Sequence, residues 1–293
     1  MPDISGHLTE FQATYQEVEM YTPAEVTKNV VGIGKGKAAL PVSRMLVLGI
    51  MAGLFIGLAA AASNTVSSTV DNGSLGRLLC GLVFPTGLTM VLLAGSELFT
   101  GNCLMVVPLL QREITLPAML KNWIFVYIGN FIGSLIVVFL VYWGGQLDLF
   151  SGALAVSTVQ VAANKCSLTF AEALCMGILC NFLVCIAVWI SFAATTVAGK
   201  IAGLFLPIML FVLCGFEHSV ANMYYGMAGL IANTNEAYHV AALETVSNLS
   251  NLTAGNFFLM NLLPVTIGNI IGGSLLVGCV YWFSYLKKTD KNA

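Results

Sequence analysis

"NWIFVYIGNFIGSLIVVFLVYW", Asn122 to Trp143, returns later in the chain as "NLLPVTIGNIIGGSLLVGCVYW", Asn261 to Trp282. At a single offset of 139 positions (122 to 261), Asn122, Val126, Ile128, Gly129, Asn130, Ile132, Gly133, Val141, Tyr142 and Trp143 meet identical residues. A second pattern, G-x-E-x-x-x-x-N, also occurs twice, at Gly95, Glu97 and Asn102 and again at Gly215, Glu217 and Asn222. The chain is therefore an internal repeat, and the architecture follows from how many membrane crossings each copy contains.

Composition places the repeat in a bilayer. Of 293 residues, 58% are hydrophobic and only 9% charged, and the mean hydropathy is +0.87. Those values exclude an ordinary soluble domain. The charges leave six neutral stretches: Met45 to Val70, Leu78 to Ser96, Asn122 to Leu147, Ala173 to Gly199, Ile201 to Phe216 and Thr245 to Leu286. Four of them contain runs of about 20 apolar residues, enough to span a bilayer as helix. The other two end in the polar stretches "GSELFTGN" and "GFEHSVAN" and then resume as short apolar segments. These read as broken helices, whose freed backbone groups are tolerable only beside protein or a watery cavity. Six crossings make three per copy, and because three is odd the copies run through the membrane in opposite senses. The expected fold is an all-α integral membrane protein, a six-helix inverted repeat with broken second and fifth helices.

Basic residues orient it. Lys28, Lys35, Lys37, Arg44, Arg112, Lys121, Lys200, Lys287, Lys288 and Lys291 fall on one side, and Arg77 and Lys165 on the other. The lysine-rich side is expected to be cytoplasmic, with both termini inside. No basic stretch followed by an apolar core marks a cleavable signal peptide. The expected organisation is a cytoplasmic N-terminal segment over residues 1–43, a six-span domain over 44–286 with halves of about 44–147 and 169–286, and a cytoplasmic tail over 287–293. "TPAE", Thr22 to Glu25, and "TFAE", Thr169 to Glu172, predict capping boxes that start helices. The eight cysteines lie in or beside apolar runs at no metal-ligand spacing and read as small core residues.

The two breaks concentrate the polar chemistry. In inverted-repeat transporters the site lies near the midplane, where discontinuous helices meet. Helix N-termini there favour a small anion, although helix C-termini at the same place would suit cations. His218 is an ionisable side chain at that depth, where burial is costly and a functional role is the default; its ring can donate a hydrogen bond to an anion or, when charged, attract it or pass it a proton. Thr100 offers a hydroxyl at the first break, or merely caps the half-helix that follows. Glu97 and Glu217, at equivalent positions, are expected to accept hydrogen bonds from the freed N–H groups of each break and to point into the protein, because a carboxylate on the path would repel an anion. Asn102, Asn130, Asn181, Asn222 and Asn269 fit similar bracing work, and Asn181, mid-span, fits contact with a pore as well. Lys165 reads as a solvated loop residue or as the charge that draws anions to the outer mouth. Neither a phosphate-binding loop nor a catalytic triad nor a metal-ligand cluster is legible, so no catalytic residue, metal or cofactor is expected.

"LFTGN", "LCNFLVCIAVW", "GFEHSVANMYYG" and "LLPVTIGNIIGGSLLVG" resemble the formate/nitrite transporter family, and the likeness runs from about Pro23 to about Tyr285, strongest to the formate channel branch. That resemblance implies an aquaporin-like bundle in a cell inner membrane, assembled as a homopentamer with one pore per protomer, binding a small anion and no nucleic acid. It implies His218, Thr100 and Asn181 at the pore centre, Lys165 in a vestibule, an outer constriction of Phe84, Leu88 and Phe211, and an inner one of Leu98 and Phe99. It also implies an N-terminal segment that plugs or frees the inner mouth with pH. Where the formate branch often carries a histidine pair just after the vestibule lysine, this chain has Ser167 and Leu168. The expected function is conduction of weak-acid anions, formate first, with proton symport and pH gating as possible features. The alternatives are nitrite or hydrosulfide on the same fold, or a neutral-solute pore of the aquaporin kind, whose Asn-Pro-Ala signature both breaks lack.

Overall fold

The computed structural model describes residues 20–287. The expected N-terminal segment up to residue 19 and the tail from 288, with Lys288 and Lys291, lie outside the described residues. Helix α1 (Pro23–Ala39) opens on the expected capping box: the Thr22 side chain accepts from the Glu25 amide, and Glu25 reaches back to the Thr22 amide. It leads into α2 (Val42–Ser67). The first broken span is α3 (Gly73–Leu93) followed by α4 (Phe99–Leu110), and α5 (Leu116–Trp143) closes the first half. Then come α6 (Ala153–Cys166) and α7 (Phe170–Ala193), the latter on the second predicted capping box. The second broken span is α8 (Val197–Leu213) followed by α9 (Ser219–Ala232). After the short α10 (Glu236–Thr245), α11 (Asn256–Tyr285) is the last crossing.

Five of these helices, α2, α3, α5, α7 and α11, are long and apolar enough to cross a membrane. The helices α6 and α10 lie inside stretches read from the sequence as connections. Lys165, expected in a loop, occupies the last turn of α6. The cysteines are all free, and Cys175 and Cys214 are exposed rather than core residues.

Close backbone approach holds each half together. The helices α2 and α5 pack along their length, as do α7 and α11. A Cβ on Gly133 would strike the Ile50 carbonyl, and one on Gly272 the Ile178 carbonyl. In lipid, where apolar association gains nothing over contact with acyl chains, such small-residue seams are what allow helices to pack tightly. The correspondence between halves extends beyond the repeat read from the sequence. Gly49 and Gly177 stand in equivalent contacts 128 positions apart (49 to 177), facing Val126 and Gly129 in one half and Val265 and Gly268 in the other. Helices α1 and α6 precede the two copies in the same way.

Each break is a turn through a left-handed residue. Gly95 has φ +81° and Gly215 φ +73°, a region that side-chain-bearing residues rarely adopt. Ser96 N donates to Val91 O and Phe216 N to Phe211 O, closing the ends of α3 and α8. Three residues outside regular structure, ending on the extended Leu98 and His218, then precede each following helix.

Candidate functional site

Both breaks are braced by asparagine side chains. At the first, Asn130 Oδ1 accepts from Phe99 N at 3.0 Å, while its Nδ2 donates to Gly49 O at 2.8 Å and Glu97 O at 2.9 Å. At the second, Asn269 Oδ1 accepts from Ser219 N at 2.9 Å, and its Nδ2 donates to Gly177 O at 2.8 Å and Glu217 O at 3.0 Å. One amide side chain thus serves a freed donor and a freed acceptor of the break and ties both to a carbonyl of the continuous neighbouring helix, which removes the penalty of unpaired backbone in lipid.

The two glutamates do different work from that expected. Neither carboxylate takes an N–H of the break; the asparagines have those. Glu97 Oε1 accepts from Lys37 Nζ at 2.6 Å and its Oε2 from Asn102 Nδ2 at 2.7 Å. Glu217 Oε1 accepts from Lys165 Nζ at 2.8 Å, and its Oε2 from Asn222 Nδ2 at 2.6 Å and Asn261 Nδ2 at 3.1 Å. Asn122 and Asn261 complete the match by donating to the carbonyls of Lys37 and Lys165. The carboxylates are nearly buried, at 7% and 6% exposure. Charges taken out of water persist only when paired and hydrogen-bonded, as both are here. Lys37, absent from the residues the sequence singled out, is the copy of Lys165 in the first half. The signal that finds it is the 128-position offset (37 to 165), which also relates Gly49 to Gly177.

Across the centre, His218 Nε2 lies 2.9 Å from Thr100 Oγ1. His218 Nδ1 accepts from Ala221 N at 3.0 Å, capping α9. An N–H donor at Nδ1 requires a lone pair there, so the neutral ring carries its proton on Nε2 and donates it to Thr100. The Thr100 hydroxyl proton is then left to point elsewhere. Asn181 Nδ2 donates to Thr100 O at 3.1 Å and to Asn269 O at 2.7 Å, fastening the first break to α11.

One cavity reaches His218 and another the residues that follow Thr100 at the first break. One, of about 370 Å³, is lined by Lys165, Glu217, Asn222, Phe84, Phe211 and His218, among others. Phe84 and Phe211 meet edge to face with centroids 5.6 Å apart, and Phe211 stacks on His218 at 5.9 Å. The other, of about 40 Å³, is lined by Lys37, Asn102, Leu88, Leu98 and Gly101, with Val30, Ile33 and Gly34 of α1 along one wall. Leu88 therefore faces the Lys37-side cavity, and Phe84 and Phe211 the Lys165-side one. Leu98 lines the smaller cavity, whereas Phe99 turns away to pack against Trp123 and Tyr127, with centroids 6.0 Å and 4.9 Å distant. Among the described residues, no group of three or more His, Cys, Asp or Glu side chains is placed to hold a metal ion.

The imidazole–hydroxyl contact thus sits at the wall of the larger, partly polar cavity, while the smaller cavity is mostly apolar and reaches the first break at Leu98, Gly101 and Asn102. Comparison with known proteins bears on what this arrangement does. Residues 24–283 match the sequence model of a family described as Formate/nitrite transporter. The chain is 37% identical over 277 residues to a protein of Escherichia coli K12 named formate channel FocA, covering 93% of this chain and 97% of that one. It is 38% identical over 270 residues to an uncharacterized transporter, YrhG, of Bacillus subtilis, covering 91% and 94%. A solved structure titled a pentameric formate channel with formate bound superposes with a TM-score of 0.75 at 34% identity, covering 84% of this chain and 98% of that one.

Proposed function

The chain belongs to the formate/nitrite transporter family, and on that premise we propose that it conducts small monovalent weak-acid anions, formate first, through one pore in each protomer of a homopentamer. The observation that carries this reading is the buried His218–Thr100 contact joining the two breaks, with one cavity reaching His218 and another the first break. The relative titled as pentameric and formate-bound supports the assembly and the cargo. Residues 44–286 form the channel domain on an aquaporin-like six-span plan. It lies in a cell inner membrane with the lysine-rich face, the segment 1–43 and the tail 287–293 on the cytoplasmic side. The Lys165-side cavity is then the outer vestibule and the Lys37-side cavity the inner one.

Geometry suggests how an anion crosses. Phe84 and Phe211 on the outer side and Leu88 and Leu98 on the inner side strip water and reject hydrated ions. Between them the Thr100 hydroxyl proton, freed because His218 donates to its oxygen, is the hydrogen bond offered to the cargo. Asn181 holds the Thr100 backbone in place for that contact. The test is formate uptake into proteoliposomes of the purified protein across a pH series with the membrane potential clamped. Saturable uptake far above empty liposomes is expected, and its voltage response separates bare anion passage from proton symport. Uptake of hydrosulfide or nitrite without formate would move the cargo within the family; passage of neutral solutes alone would overturn the anion reading.

A further inference from the structure

Arg77 lies on α3, and it lines the outer cavity together with Cys80 and Phe84, one and two turns further along the same helix. The chain's other arginines, Arg44 and Arg112, count to the opposite side of the membrane. A Cβ built on the left-handed Gly215 would come 2.8 Å from one guanidinium nitrogen of Arg77, with the remaining guanidinium atoms close behind. The fork therefore rests against the turn that ends α8, beside the path to Phe211 and His218, and glycine at 215 leaves it room. Arg77 is exposed at the cavity edge, and among the described residues it makes no ion pair.

Lys165, the other cation lining this cavity, gives its charge to Glu217 at 2.8 Å. A paired ammonium and carboxylate contribute almost no net field at the mouth, so the uncompensated positive charge of the outer cavity is that of Arg77. A guanidinium also differs from an ammonium in shape: its planar fork makes two parallel N–H···O bonds to the two oxygens of a carboxylate, a match in spacing that a monatomic anion lacks.

We propose that Arg77 is a capture site for small monocarboxylates at the outer mouth, taking the anion by its two oxygens and releasing it onto the Phe84–Phe211 constriction. This rests on the conduit reading above. Exposure keeps the contact weak enough for release, which conduction requires.

Two experiments test it. In oriented proteoliposomes, Arg77→Gln is expected to raise the half-saturation for formate entering from the outer face by about threefold to tenfold. Its maximal rate should stay near that of the unsubstituted protein, and the fall of uptake with ionic strength should flatten. Arg77→Lys is expected to keep the salt response and lose preference for formate over hydrosulfide. Separately, phenylglyoxal modification of Arg77, followed by mass spectrometry of the intact protein's digest, is expected to slow in formate and not in an equal concentration of chloride. Half-saturation unchanged in Arg77→Gln, a preference unchanged in Arg77→Lys, or equal protection by chloride would overturn the capture site while leaving the conduit standing. If the unsubstituted protein carries no formate, the formate assignment fails, and the labelling still decides capture by the presence or absence of protection.

Discussion

Tyr127 and Thr266 are the same position in the two halves, 139 residues apart, and they hydrogen-bond each other at 2.8 Å. Copies can meet directly only where the two-fold axis relating them passes, so the axis runs between the hydroxyls of α5 and α11. Around it the frame is duplicated almost bond for bond: Asn130 with Asn269, Asn122 with Asn261, Asn102 with Asn222, Glu97 with Glu217 and Lys37 with Lys165.

Bracing by Asn269 makes it a stability residue. Asn269→Leu strands Ser219 N and Glu217 O away from water, and leaving such groups unpaired costs about 1–3 kcal/mol each. Thermal unfolding in detergent should show a large loss of assembled protein. A variant that assembles and melts like the parent would show that the break does not depend on this side chain.

The Lys165–Glu217 pair predicts a dependence between two substitutions. Lys165→Met leaves a buried carboxylate with asparagine donors alone and should lower stability by about 3 kcal/mol. Adding Glu217→Gln removes the uncompensated charge, so the double variant should melt above Lys165→Met. Equal melting of the two would mean that the lysine does not hold the carboxylate.

His218 has two separable jobs, and two variants divide them. His218→Ala removes the cap of α9, worth about 1 kcal/mol, along with the contact to Thr100. His218→Asn keeps a side-chain acceptor at the N-cap but gives up the imidazole. The expected result is near-parental stability for His218→Asn with altered pH dependence and selectivity of flux. Unchanged flux in an assembled His218→Asn protein would remove the imidazole from the mechanism.

Acid should loosen the start of α1. Hydrogen bonds from the Thr22 hydroxyl and amide hold the exposed Glu25 carboxyl below its ordinary 4.5. A carboxyl lowered in the folded state stabilises it above the unfolded value, and that contribution disappears as pH falls through the lowered one. Hydrogen-exchange protection in the first turn of α1 should therefore drop on acidification below the ordinary value, and Glu25→Gln should abolish the dependence. A pH-independent first turn in the parent would show that the box does not secure it.

The sequence showed the frame best where the copies kept both spacing and identity. Third spans α5 and α11 share one offset and more than ten identical residues, so their repeat was legible, and the two glutamates in polar surroundings marked the breaks. Unequal connections between the other elements hid the rest: Lys37 and Lys165 are 128 apart, and Glu97 and Glu217 are 120 apart (97 to 217), so no single alignment lines up all three spans. Helices α6 and α10 were missed because they are short and partly polar, which makes them look like connections. The division of labour between glutamate and asparagine was beyond the sequence too, because both can accept an N–H and only the folded chain shows which one reaches it. Phe99 and Leu98 are neighbours at a turn, and the backbone angle there, which no spacing predicts, sends one to the cavity and the other to Trp123.

The three central residues break the duplication that the asparagine, glutamate and lysine bracing around them obeys. At the offsets of their own elements, His218 answers to Leu98, Thr100 to Val220 and Asn181 to Gly53. A conduit whose walls were two identical halves would pass current equally in both directions at equal and opposite driving force. Any rectification in this protein must therefore originate where the halves differ, and the three central positions are among those places.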